Sequence, residues 1–157
     1  MTTVPPFDDV PGAHEWMHQQ IGGWAGRLDD ERTRALRAYK STAYFHLNEA
    51  LRTGQATRFD APQWRAITEA IGAEALTEPV TVFRSIDDYE IAELVLLDGA
   101  EIPHEGFTSV SVVRAVAESF LHECGDSDVF EEDNGAARNV LLIAELPAGT
   151  HAVPLDG

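Results

Sequence analysis

The stretch YKSTAYFHLNEALRTG, residues 39–54, carries the pattern that decides the fold. Its apolar residues recur at helical spacing, and the glycine at its end is a common C-terminal stop for a helix. Three of its polar or aromatic residues are spaced by four and therefore share one helix face: Tyr44, Asn48 and Arg52. Tyr39 precedes Tyr44 by five residues, near the edge of that sector. Packing alone does not require an asparagine and an arginine there, so this face is a candidate binding surface.

Further helices are predicted on both sides of this stretch. Residues 13–27 place tryptophan and isoleucine at about turn spacing, although three glycines weaken the helix. The acidic run at residues 29–31 restarts a helix that continues through the quoted stretch, with a break near Lys40-Ser41. Pro62 opens another helix, which ends near Gly72. The N-terminal half is therefore predicted to be helical.

The second half of the chain contains the alternating and β-rich patterns that are typical of strands. Strands are predicted over residues 79–86, 105–113 and 139–146, the last as a nearly continuous apolar run near a sheet centre. Helices are predicted over residues 88–97 and 114–124, and an acidic loop follows the second of them. Helices followed by strands predict an α+β domain, with a helical N-terminal half packed on a mixed, mainly antiparallel β core.

Length, charge and cysteine content narrow the class of protein. The 157 residues contain no repeat or linker, so residues 13–157 are predicted to form one domain and residues 1–12 a flexible arm. Net charge is −16, and residues 66–157 hold 3 basic against 19 acidic side chains, which argues against nucleic-acid binding. No apolar run could span a membrane, and no signal peptide opens the chain. Location therefore stays open between the cytoplasm and export by a non-classical route, and Cys124 cannot form an internal disulfide.

Several common kinds of site find no support in the sequence. There is no glycine-rich phosphate loop. His14 and His18 are spaced by four, but no third ligand lies nearby, so no metal is predicted. What remains is the face of the quoted helix, Arg84 inside a predicted strand, and alternate residues of a later strand: Phe107, Ser109 and Ser111. Each also has a plain structural interpretation, as core aromatics, a loop-capping asparagine, an edge charge and surface serines.

Together, these three elements resemble the mono-ADP-ribosyltransferase fold of the exoenzyme-toxin, actin-modifying type. That family shares a Tyr-x4-Tyr-x3-Asn-x2-Leu-Arg helix, an arginine strand and an aromatic-x-Ser-Thr-Ser strand. In this chain they are Tyr39-x4-Tyr44-x3-Asn48-x2-Leu51-Arg52, then Arg84-Ser85, then Phe107-x-Ser109-Val110-Ser111. The resemblance extends from about residue 29 to the end.

The resemblance implies NAD as co-substrate and assigns the helix and the arginine to it. Tyr44 and Asn48 would line the NAD cleft, with Tyr39 near the adenosine end. Arg84 would bind the phosphates, because a planar guanidinium suits phosphate oxygens in a two-point contact. The backbone at Ser85 would bind the nicotinamide carboxamide.

The resemblance assigns the serine strand to the reaction centre. Ser109 would position a catalytic glutamate and support the nicotinamide ribose, while Ser111 would brace the site and Phe107 would help to wall the pocket. The three motif elements are then expected to converge on one dinucleotide-shaped groove. Arg84 and Ser109 are the two residues predicted to take part in catalysis.

The sequence departs from the family pattern at two points. Val110 stands where the family usually has threonine. The family's Glu-x-Glu motif is expected shortly after residues 147–157 and is not in the sequence given. Residues 131–133 contain an acid-x-acid spacing, but they come too early in chain order, and Glu145 is not at a catalytic position of the family. We therefore expect little or no transferase activity from the chain as given.

The leading functional hypothesis is a mono-ADP-ribosyltransferase, a glycosyltransferase that moves ADP-ribose from NAD to a side chain of an acceptor protein. The acidic second half favours a basic acceptor. The alternative is a non-catalytic scaffold or interaction module with the same fold, as in a phage structural protein or an inactive toxin-like domain. The acceptor and the oligomeric state are not readable from the sequence.

Overall fold

The described part of the chain begins with four α-helices and continues with a strand, a fifth helix and a second strand. The computed structural model describes residues 2–55, 61–86, 106–123 and 140–155, with the side chains of Thr42, Phe45, Arg52, His122 and Glu123 excepted. Within these ranges the helices are α1 (Val10–Ile21), α2 (Asp30–Ala38), α3 (Tyr44–Arg52), α4 (Ala61–Gly72) and α5 (Arg114–Glu123), and the strands are β1 (Val80–Ile86) and β2 (Val140–Leu146). The prediction of an α+β fold is confirmed.

Local sequence signals account for three of the helix ends in the described residues. Asp29 caps α2, since its carboxylate accepts a hydrogen bond from the backbone N–H of Arg32 at 2.8 Å. After α3, Gly54 adopts a φ of +67°, a left-handed conformation that favours glycine. The Gln55 N–H then reaches the Ala50 carbonyl at 2.9 Å, which closes a Schellman motif. The first helix ends at Ile21, earlier than the predicted residue 27, because a glycine pair follows and only a short 3₁₀ turn resumes at Ala25–Arg27.

The predicted break near Lys40-Ser41 is a π turn. Residues Tyr39–Ala43 form it, and α2 and α3 follow one another on either side without leaving helical geometry. A π turn adds one residue to a helical turn, and such turns often occur at functional sites. The helix is therefore continuous here, and the extra residue of the π turn rotates the side chains of α3 around the helix axis relative to those of α2.

The chain divides into two compact units. The helical unit comprises His14–Glu78, Pro103–Thr108 and Pro147–Gly157, and the strand unit comprises Met1–Ala13, Pro79–Ile102 and Ser109–Leu146. In the helical unit α2 packs on α4 around a core of seven buried side chains: Ala35, Leu36, Tyr39, Leu47, Ala66, Ile67 and Ala70. Trp64 and Ile71 of α4 pack against this core and are half-buried.

The strand unit is built on an antiparallel pair. β1 and β2 pair from Val80 opposite Leu146 to Ile86 opposite Val140, and α5 packs against β1. The apolar run of β2 does not occupy a sheet centre within the described residues, because it pairs there with β1 and leaves Leu142 and Ile143 exposed. Apolar composition alone cannot distinguish a buried strand from one with an uncovered face.

The structure differs from the sequence prediction in two other segments, residues 1–12 and residues 105–113. In the segment expected to be a flexible arm, Val4 bridges to Val80 and Phe7 bridges to Val113 in parallel fashion. The strand expected over residues 105–113 is reduced to bridges, such as the one between Ser111 and Phe83. The Ser111 hydroxyl bonds to the N–H and carbonyl of Val113, and this local turn ends the pairing just before α5.

The remaining predicted elements cannot be compared. The helix predicted over residues 88–97 and the acidic loop after residue 124 lie outside the described residues. In the described part of the chain, every helix is too short or too polar to cross a bilayer.

Candidate functional site

Asn48 and Tyr39 form a hydrogen-bonded cluster with the backbone of Phe107 in the helical unit. The Asn48 amide nitrogen donates to the Tyr39 hydroxyl at 3.0 Å, and that hydroxyl donates to the Phe107 carbonyl at 3.2 Å. The Asn48 amide oxygen accepts from the Phe107 N–H at 2.9 Å. Because a backbone N–H can only donate, this last contact fixes which end of the amide carries oxygen. Both ends of the Asn48 side chain therefore bind groups of this chain.

The aromatic rings around this cluster pack edge to face. The Tyr39 ring lies 5.6 Å from the Phe107 ring and 6.5 Å from the Tyr44 ring, both in T-shaped arrangements. Tyr39 is 4% exposed and belongs to the core, whereas Tyr44 is 51% exposed. Of the two predicted ligand-contacting tyrosines, only Tyr44 presents its ring to solvent.

Arg84 and Ser109 meet in the strand unit. Arg84 lies half-buried on β1, and its guanidinium donates from Nη1 to the Ser109 carbonyl oxygen at 2.9 Å. The two residues are 25 positions apart in the chain, so the contact is set by the fold. The paired backbones of Phe83 and Ser111, with N···O distances of 2.7 and 2.8 Å, hold the two segments side by side. The predicted proximity of these two residues is therefore present.

The other two predicted serines make internal hydrogen bonds. The Ser85 hydroxyl donates to the Ala117 carbonyl on α5, and the Ser85 backbone pairs with Leu141 in the strand register. The Ser111 hydroxyl is used by the turn to Val113. The side chain of Arg52, the last residue of the quoted helix pattern, lies outside the described residues.

A separate cavity of about 380 Å³ lies in the helical unit and contains none of the predicted site residues. Its lining consists of Trp24, Arg27, Leu28, Arg32, Glu69, Ala70, Ala73 and Glu74. The charged groups are already paired, with Arg27 to Glu74 and Arg32 to Glu69 both at 2.6 Å. The hydrogen bond to Glu69, with the nearby charge of Asp29, raises the pKa of Arg32 above its ordinary value. Among the described residues no group of three His, Cys, Asp or Glu side chains could hold a metal ion.

Gly106 is a residue that the sequence analysis missed. Its φ of +142° is a conformation that residues with a side chain rarely adopt. A Cβ placed on it would lie 3.1 Å from the Asn48 amide oxygen, so glycine allows the loop to approach the helix closely. The sequence signal was a glycine directly before Phe107, and its meaning depends on a helix almost 60 residues earlier.

Comparisons with known proteins agree with the motifs. Residues 13–155 match the family described as ADP-ribosyltransferase exoenzyme. A comparison with curated proteins gave no match.

Three solved structures share the fold at low sequence identity. Plx2a, an ADP-ribosyltransferase toxin from Paenibacillus larvae, is 18% identical with a TM-score of 0.62, and the match covers 95% of this chain and 75% of Plx2a. BECa, an ADP-ribosylating toxin of a binary enterotoxin of C. perfringens solved with NADH, is 18% identical with a TM-score of 0.53 over 64% of this chain and 24% of BECa. The enzymatic component C2-I of the Clostridium botulinum C2 toxin is 15% identical with a TM-score of 0.50, over 76% of this chain and 28% of C2-I. The chain thus spans about a quarter of the length of the last two proteins.

Proposed function

This chain belongs to the ADP-ribosyltransferase exoenzyme family, and we propose that it binds NAD with the diphosphate on Arg84. Transfer of ADP-ribose to a protein side chain also requires the family's Glu-x-Glu motif, which the given sequence does not contain, so we expect little or no transfer from the chain as given. The domain is of the NAD-dependent mono-ADP-ribosyltransferase type that its motifs resemble. The observation that carries the residue assignment is the 2.9 Å hydrogen bond from Arg84 to the Ser109 carbonyl, which joins two of the family's motif elements.

The chemistry of Arg84 suits a diphosphate. A guanidinium keeps its positive charge at any working pH and offers five N–H donors in a planar fork that matches phosphate oxygens. The contact with Ser109 holds this group in place before the ligand arrives, which lowers the entropy lost on binding. The half-buried position of Arg84 also strengthens its attraction to phosphate relative to a fully solvated arginine.

In the proposed reaction, the bond between the nicotinamide nitrogen and the ribose carbon breaks, and nicotinamide leaves with the electron pair. The ribose carbon becomes positively charged and is attacked by the acceptor side chain, which loses a proton as the new bond forms. Negative groups placed beside this developing charge supply much of the acceleration in such reactions. Ser109 is assigned to orient the glutamate of the family's Glu-x-Glu motif, which the given sequence does not contain, and the Ser85 backbone to bind the carboxamide of the leaving nicotinamide.

The remaining assignments concern the walls of the site and the acceptor. Tyr44, which is exposed on α3, and Phe107 are assigned to contact the ligand, and Ser111 to support the Ser109 segment through its turn. A protein with a basic surface is the proposed acceptor, because the chain carries a net charge of −16 concentrated in residues 66–157.

Calorimetric titration with NAD tests the central assignment. Arg84→Ala is expected to weaken binding by about 2 kcal/mol or more, since a charged hydrogen-bonded contact to phosphate is lost. Arg65→Ala is the matched control, because Arg65 is exposed on α4, where its guanidinium lies 5.6 Å from the Trp64 ring. The control should change binding by less than about 0.5 kcal/mol.

Two results would overturn the proposal. One is the absence of heat at millimolar NAD in a sample shown to be folded by circular dichroism. The other is an equal loss of affinity in the two arginine variants, which would mean that only general positive charge matters and that Arg84 has no special position.

A further inference from the structure

The side chains of Tyr39 and Asn48 are occupied by their own chain. The Asn48 amide uses its nitrogen on the Tyr39 hydroxyl and its oxygen on the Phe107 N–H. The Tyr39 hydroxyl is itself used twice, accepting from Asn48 and donating to the Phe107 carbonyl. Tyr39 is 4% exposed, so little of its side chain is accessible to a ligand. Together, these contacts bind both the backbone N–H and the backbone carbonyl of Phe107.

The π turn allows this arrangement. Tyr39 and Asn48 are nine residues apart, which at about 100° per residue puts them on opposite faces of a regular α-helix. The π turn at Tyr39–Ala43 absorbs one residue, so the effective separation falls to eight residues, or about 80° around the axis. The same turn brings the rings of Tyr39 and Tyr44, five residues apart in the chain, into edge-to-face contact at 6.5 Å.

Gly106 completes the contact from the other side. Its positive φ turns the chain so that the Phe107 N–H points at the Asn48 amide oxygen, and the absence of a Cβ leaves room for the amide. Three features therefore contribute to the contact at Phe107: the π turn at Tyr39–Ala43, the positive φ of Gly106, and an Asn48 amide whose nitrogen and oxygen each make one hydrogen bond within the chain.

We propose that Tyr39 and Asn48 are positioning residues, which clamp the backbone of Phe107 and thereby orient the segment that continues to Ser109, and that neither is a ligand of NAD. Phe107 precedes Ser109 by two residues in the chain, and the Ser109 carbonyl accepts the hydrogen bond from Arg84. The link to NAD rests on the proposed function, whereas the clamp itself does not.

Hydrogen exchange by NMR tests the clamp without any ligand. In Asn48→Ala the Phe107 amide loses its acceptor, so its protection from exchange should fall at least about fivefold relative to the Ala70 amide inside α4. Asn48→Asp keeps an acceptor oxygen and should retain most of the Phe107 protection. Glu49→Gln, one position along the exposed side of α3, is the control and should leave it unchanged. Unchanged protection of Phe107 in Asn48→Ala would overturn the clamp.

NAD titration of three variants then separates a positioning role from a ligand role. Tyr39→Phe and Asn48→Ala should each weaken binding several-fold, and the double variant should be no weaker than the weaker single variant, because both act through Phe107. Losses that multiply in the double variant would show that Asn48 contacts NAD directly and would overturn the positioning role. If the wild-type chain binds no NAD, the proposed function fails, and the Phe107 exchange data still decide whether the clamp exists.

Discussion

The Asn48–Tyr39–Phe107 cluster and the Arg84–Ser109 contact use hydrogen bonds for different purposes. In the first, neutral groups satisfy one another at a buried tyrosine, with distances of 2.9 to 3.2 Å. In the second, a half-buried cation gives one N–H to a carbonyl at 2.9 Å. The predicted site residues therefore differ in their contacts: Tyr39 and Asn48 bind the backbone of Phe107 through neutral groups, whereas Arg84 carries a charge.

Packing also differs between the helical unit and β2. Ile67 has no exposed surface in the core of the helical unit, whereas Leu142 on β2 is 40% exposed. The largest predicted effect on stability follows from this difference. Ile67→Ala should lower the free energy of unfolding by about 3 to 4 kcal/mol, because it removes buried methyl groups and leaves a cavity. Leu142→Ala should cost less than about 1 kcal/mol. Denaturant unfolding of both variants checks this, and equal losses would contradict the contrast.

Gly106→Ala should disrupt the Asn48–Tyr39–Phe107 cluster through the backbone of the loop before Phe107. The added Cβ would lie 3.1 Å from the Asn48 amide oxygen, and alanine would have to adopt a φ of +142°. We expect a loss of about 2 kcal/mol in the free energy of unfolding from backbone strain and crowding. Thermal unfolding measures it, with Gly72→Ala as control, since a Cβ on Gly72 meets nothing within 4 Å. A Gly106→Ala variant as stable as the control would show that the loop does not need its close approach.

Tyr39→Phe and Tyr44→Phe sharpen the contrast within one helix. Removing the Tyr39 hydroxyl leaves the Phe107 carbonyl and the Asn48 amide nitrogen each without that partner, which should cost about 1 to 2 kcal/mol of stability. The Tyr44 ring is exposed, so its hydroxyl should contribute less than about 0.5 kcal/mol. Chemical denaturation measures the free energy of unfolding of both variants. A larger loss of stability in Tyr44→Phe than in Tyr39→Phe would contradict the assignment of Tyr39 to the core and Tyr44 to the surface.

The smallest effect concerns the start of α2, where the helical unit depends on a local signal. Asp29→Ala should cost about 1 kcal/mol, because the Arg32 N–H loses its cap. Asp29→Asn retains a capping oxygen while removing the charge that faces Arg32 at 2.6 Å, so it should keep most of the stability. If the asparagine variant loses as much as the alanine variant, the ion pair and not the cap would be the main contribution.

The sequence predicted those features that depend on near neighbours. The acidic run at residues 29–31, the Gly54 stop and the proline at the start of α4 each act within one turn of helix, and the structure has a helix end at each of them. That Asp29 itself caps α2 was not predicted. The break near Lys40-Ser41 was also predicted, but its geometry as a π turn was not. Composition in a short window does not distinguish a kink from the insertion of one residue into a turn.

Features that depend on distant residues were harder to predict. Nothing near Asn48 indicates that its amide will bind Phe107, which is 59 positions away, or that Gly106 will make room for it. Likewise the apolar run of β2 predicts a strand but not how much of it the rest of the chain covers. The approach of Arg84 to Ser109 was predictable from the family resemblance, since the spacing of the residues alone does not bring them together.

A crystal structure of the chain with NAD tests the central claim most directly. The account predicts NAD phosphate oxygens within about 3 Å of the Arg84 guanidinium, with the Asn48 amide still bound to Phe107 and Tyr39. NAD bound with its phosphates away from Arg84, or an Asn48 amide turned from Phe107 onto the dinucleotide, would contradict it.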